Sequence, residues 1–132
     1  MPLDFVCPPQ VREELDQGTA SGHYAVTVTW LEVMPLERPT DPLAAATVDA
    51  GEAAVIQLAR ERGIALVCMD DRKARRAALA VGLLVTGSLG LLARAKILGL
   101  TAAIRPFVER AMGEGVWYDS ALVRRVLADL GE

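Results

Sequence analysis

At 132 residues the chain is sized for one domain that can bury most of the surface its unfolded form exposes, which argues against several domains. An apolar fraction of 52% with only 5% aromatics calls for a core of Ala, Val, Leu and Ile, as helices packed on a parallel sheet provide. Net charge is −3, yet residues 1–71 hold 12 acidic and 4 basic side chains while residues 72–132 hold 5 and 10. The two halves either neutralise each other across helix surfaces, or set an acidic metal pocket beside a basic, phosphate-binding rim.

Leu3 to Cys7 predicts a short strand closed by Pro8 and Pro9, and Pro9 suits the first turn of a helix that turns Val11 and Leu15 inward. The stretch Gly18 to Gly22 is expected to end that helix. Tyr24 to Val33 is rich in β-branched and aromatic residues and reads as a strand, after which Pro35, Pro39 and Pro42 enforce a loop. Asp49 with Glu52 three residues on has the form of a capping box, opening a helix that carries Ala53, Ile56 and Ala59 on one face and stops at Gly63.

Ile64 to Met69 is continuously apolar, the pattern of a strand covered on both sides. Asp70 and Asp71 then start a helix with Ala74, Ala77 and Ala78 inward, stopped by Gly82. Leu83 to Val85 follows as a strand, Thr86 to Ser88 as a turn and Leu89 to Leu98 as a helix closed by Gly99. Strands alternating with helices imply βαβ units and a parallel sheet. Two helices finish the chain, 102–112 and 120–130, the second capped by Asp119 or Ser120. This divides a single domain into an α/β core over 1–100 and C-terminal helices over 101–132.

Ala77 to Ala93 carries no charge and just reaches the roughly 17-residue lower limit for a spanning helix, but Gly82, Gly87 and Gly90 interrupt it. No secretory leader is visible, and Cys7 and Cys68 lack metal-ligand spacing. The expectation is a cytoplasmic protein with two buried thiols. His23 is the only histidine, in a Gly- and Ser-rich loop, which leaves a histidine triad with one weak candidate. TGSLG is neither a GxSxG elbow nor a P-loop.

Asp70 and Asp71 stand at the carboxyl end of the strongest strand, where open α/β sheets collect ligands, although both could merely cap the next helix. Glu52 could reach the same rim from the first turn of its helix, or serve only the capping box. Glu14 lies at the edge of the early helix's buried face, and Glu13 reads as solvated surface. Such carboxylates suit Mg²⁺ or Mn²⁺, which take few protein ligands plus water and phosphate oxygens. Arg72, Lys73, Arg75 and Arg76 follow at once and fit recognition of a nucleic-acid backbone, or a solvated helix face.

GEAAVIQLA, MDDRKARR after a buried strand, VTGSLGLLARAK and the tail RPFVERAMGEGVWYDSALVRRVLADLGE together resemble the DUF3368 family of PIN-like proteins, over nearly the whole chain. The resemblance implies a three-layer α/β/α fold with a mainly parallel central sheet. It also implies a ribonuclease using three or four acids to hold Mg²⁺ or Mn²⁺, and in some systems a toxin with RNA as target and a small antitoxin as partner. By position Glu14, Glu52 and Asp70 match the family's metal ligands, with Asp71 beside them in the catalytic site. Members of the family normally begin with a strand ending in an SDTSPLI-like motif and a helix. This sequence opens at the second strand, so the first acidic ligand has no counterpart and Asp4 stands too close to that strand to replace it. The resemblance therefore implies either a shortened gene product or a homologue that no longer cuts RNA. Two other readings stay open: a non-catalytic, homo-oligomeric interaction module covering an open sheet edge, and a small-molecule-binding domain using the turn at Thr86 to Ser88.

Overall fold

The computed structural model of the chain describes residues 4–20 and 30–132, with 19 and 20 as backbone only. In chain order the elements are β1 (Phe5–Cys7), α1 (Pro9–Ala20), β2 (Leu31–Val33), α2 (Pro42–Thr47), α3 (Ala50–Arg62) and β3 (Leu66–Cys68). They continue with α4 (Arg72–Ala80), β4 (Leu84–Thr86), α5 (Ser88–Ile97), α6 (Arg105–Gly113) and α7 (Ser120–Asp129). Most of the expected strand 24–33, and His23, lie outside the described residues, and only Leu31–Val33 of that strand is seen.

The elements form where local chemistry demands them. Asp49 Oδ1 accepts the Glu52 N–H at 2.8 Å, and the Glu52 side chain accepts the Asp49 N–H at 3.4 Å, completing the capping box of α3. Gly63 closes α3 in the left-handed conformation at φ 65°, which a residue with a Cβ rarely adopts. Asp71 and Asp119 cap α4 and α7 with their side chains. The helix α1 runs on past Gly18, since one glycine weakens a helix without stopping it. α2 is an element the three prolines conceal: Asp41 caps it and Pro42 takes its first turn, where a missing N–H costs nothing.

Among the described residues the strands form two separate pairs, β1 with β2 and β3 with β4. β1 and β2 are parallel, with Phe5 opposite Leu31 and Cys7 opposite Val33. The chain clusters into two compact units, 1–85 and 86–132. In unit 2, Leu89 of α5 is buried with Ile104, Val108 and Leu127. In unit 1, Ile56 and Ala59 of α3 meet Val67 and Met69 around β3, and Ala74 and Ala78 of α4, both fully buried, let that helix approach closely.

Two expectations need correcting. β3 is covered on one side only: Val67 and Met69 are buried while Cys68 between them is exposed. Cys68 is therefore not the buried thiol its apolar neighbours suggest, whereas Cys7 is. A continuous apolar run does not say whether a second layer covers the alternate face. No helix among the described residues is long and apolar enough to cross a membrane.

Candidate functional site

A cleft of about 240 Å³ opens in unit 1 where α1, the first turn of α3 and the end of β3 meet. Glu14 reaches it from α1, Gly51 and Glu52 from α3, and Cys68 and Asp70 from the β3 end, with Val11 and Val55 as apolar wall. Three of the four acids singled out in the sequence thus line one cavity, although 38 residues separate Glu14 from Glu52 and 18 separate Glu52 from Asp70 in the chain.

Gly51 explains how Glu14 fits. A Cβ built at Gly51 would lie 2.7 Å from Glu14 Cδ, closer than real side-chain carbons approach. The bare backbone at the second residue of α3 is therefore the seat of the Glu14 carboxylate. Its position beside a helix N-terminus is electrostatically favourable for an anion. The sequence held a signal for this seat, a glycine inside the first turn of a helix whose neighbours are good helix formers, but not the identity of the group it admits.

Glu52 is half-buried and sits among negative charge. Burial raises its pKa above the ordinary 4.5, as do Asp49, Asp71 and Glu14, and the Asp49 N–H only partly opposes them. The capping hydrogen bond of Glu52 is at the long end of the useful range, so its carboxylate can turn toward the cleft at small cost.

Asp71 is placed differently. Its Oδ2 accepts the Ala74 N–H at 3.0 Å, so its carboxylate caps α4 and does not line the cleft. It acts on the cleft through charge, as one of the groups that raise the Glu52 pKa. Glu13 is exposed on α1, and Asp4 is exposed ahead of β1.

The basic residues leave Asp71 on the outer face of α4. Arg72, Lys73 and Arg76 are exposed and Arg75 half-exposed, opposite buried Ala74 and Ala78. None of the four joins an ion pair among the described residues.

The donor set of the cleft is chemically suited to a hard divalent cation: carboxylates reaching it from three parts of the chain, one of them, Glu52, disfavoured as an anion by burial and by neighbouring negative charge. As placed, no group of three acidic, histidine or cysteine side chains among the described residues converges to ligating distance. The cleft is a set of donors around an opening, and side-chain rotation is required to close it on an ion.

No curated protein and no solved structure is significantly similar to the chain. The profile of DUF3368, described as a PIN domain, matches residues 2–132. The parallel strands in small sheets and the helices between them agree with that fold, and the chain belongs to the DUF3368 family of PIN domains.

Proposed function

We propose that the chain is a divalent-metal-dependent ribonuclease of the PIN type, with Glu14, Glu52 and Asp70 as ligands for Mg²⁺ or Mn²⁺. PIN domains are nuclease-like and generally use divalent metals, and the finer reading rests on this chain's own residues. The observation that carries it is the gathering of Glu14, Glu52 and Asp70 around one cleft from α1, α3 and β3.

Each residue has a part that follows from its place. Gly51 seats the Glu14 carboxylate against α3, the capping box fixes the backbone of Glu52, and the chain leaving β3 brings Asp70 to the same cleft. The like charge around Glu52 makes a cation welcome, since neutralising it removes a repulsion already present in the fold. A bound divalent ion supplies charge neutralisation for displacement at phosphorus. Arg72, Lys73, Arg75 and Arg76 hold the phosphate backbone without reading bases, as unpaired surface cations do. Asp71 supports the site by capping α4 and by its charge. A small protein antitoxin is the partner this reading expects, with the chain as toxin.

The test is RNA cleavage with Mn²⁺ by the parent and by Asp70→Asn. Cleavage lost by roughly a hundredfold or more in the variant, equivalent to about 2.7 kcal/mol of barrier, supports the assignment. Equal cleavage by both proteins refutes it.

The exposed Arg72, Lys73 and Arg76 favour one second reading, a non-catalytic, homo-oligomeric module that binds nucleic acid through α4 alone. It predicts RNA binding that is independent of metal and lost on replacing Arg72, Lys73, Arg75 and Arg76, with no cleavage in any metal.

A further inference from the structure

A second cavity lies on the other side of α3. It measures about 430 Å³, within the range of small-ligand sites, and is formed where the segment around Arg38 to Ala44 crosses α3. Residues 51, 52 and 55 face the carboxylate cleft, whereas 53, 56, 57 and 60 face this one, so the two openings take different faces of one helix.

Its charged groups are unequally engaged. Glu61 accepts the Glu37 N–H with both carboxylate oxygens at 3.0 Å, and Asp41 accepts the Leu43 N–H at 2.9 Å. Gln57 is also committed, donating to Arg38 O at 2.7 Å and accepting from Asp41 N at 3.2 Å. These bonds pin the segment to α3 and tie both acids to backbone amides. Arg38 and Arg60 line the same cavity, and among the described residues neither guanidinium has a hydrogen bond or ion pair. Arg62, two residues on, does have one, donating to Pro35 O. The same lining includes an apolar part, from Pro39, Ala44 and buried Ile56.

We propose that this cavity binds a nucleotide, its phosphate held by Arg38 and Arg60 and its base laid on Pro39, Ala44 and Ile56. Two guanidiniums match the double charge of a phosphate monoester better than the single charge of a carboxylate, and each offers it paired donors. The apolar wall takes a flat ring, which a bare inorganic anion lacks. The same chemistry is presented by a free 5′-nucleotide and by the 5′-phosphorylated end of an RNA strand. The site does not depend on the carboxylate cleft or on a metal.

The test is calorimetric titration of the full chain in EDTA with adenosine 5′-monophosphate, inorganic phosphate and adenosine. Saturable binding of the nucleotide is expected, tighter than phosphate or adenosine alone. Arg38→Gln and Arg60→Gln each weaken it by about tenfold or more, and Arg62→Gln, outside the lining, changes it by less than about twofold. Competition by a 5′-phosphorylated tetraribonucleotide but not its dephosphorylated form assigns the site to RNA ends, and no competition by either assigns it to free nucleotides. Absence of nucleotide binding at millimolar concentration, equal affinity for phosphate and nucleotide, or equal losses in all three arginine variants overturns the proposal. Because no metal is present and no cleavage is read, this outcome is separate from that of the nuclease test.

Discussion

The two units of the chain use charge in opposite ways. In unit 2 three of the six cations join ion pairs among the described residues: Lys96 with Glu132 at 3.1 Å, Arg105 with Glu109 and Arg110 with Glu114. Glu132 goes furthest, with its carboxylate accepting the Ile104 and Arg105 N–H groups that open α6, and its carbonyl accepting from Arg105. In unit 1 the ion pair among the described residues is Arg12 with Asp16, Glu14 and Glu52 line the cleft that Asp70 also borders, and Arg38, Arg60 and the α4 cations join no ion pair among the described residues. Both binding sites proposed above lie in unit 1, whereas the best-engaged charge of unit 2, Glu132, serves the entrance of α6.

The sharpest way to break this contrast is through the small core of unit 2. Ile104 is fully buried with Val108, Leu89 and Leu127, so Ile104→Ala should cost about 2–5 kcal/mol in denaturant unfolding. A cost below 1 kcal/mol would mean that the clasp at Glu132, and not apolar packing, holds this unit.

Gly51→Ala sets two effects against each other in unit 1. Alanine gains about 1 kcal/mol of helix propensity, but its methyl occupies the seat of the Glu14 carboxylate. The expected outcome is a change in stability smaller than that gain, together with loss of Mn²⁺-dependent cleavage. Full stabilisation with cleavage intact would show that Glu14 needs no such seat.

The pH dependence should differ between the units. The Glu132 carboxyl is held down at about 2, chiefly by the Ile104 N–H, with Arg105 and Lys96 assisting and burial opposing. A depressed folded pKa contributes stability that is present above the ordinary 4.5 and is lost as pH falls toward 2. Glu132→Gln should lower Tm at pH 7, with the gap to the parent closing through that acid window.

Glu52 has the reverse sign and the smallest effect. Its raised pKa means that the folded state holds the proton more tightly, so stability falls as pH climbs from 4.5 through the folded value. Glu52→Gln keeps a capping acceptor and removes the repulsion, so its Tm should slightly exceed the parent's at pH 7 and match it at pH 4. Added Mn²⁺ should raise the parent's Tm and leave the variant's unchanged; a variant melting below the parent at pH 7 would show that the Glu52 charge is already compensated.

What the sequence determined by itself is mostly local. Asp49 with Glu52, Asp71 and Asp119 announced the starts of α3, α4 and α7, because a cap joins residues two or three apart and its chemistry is written in them. The candidate acids were legible from the family pattern and from the rule that strand ends collect ligands. Tertiary structure decided what depends on residues far apart in the chain. It set Glu14 on Gly51, left Cys68 bare between two buried neighbours, placed Glu132 at a helix entrance, and opened a cavity at Arg38 and Arg60. A side chain's part in each of these follows from which other segment arrives beside it, and that is fixed only when the helices pack.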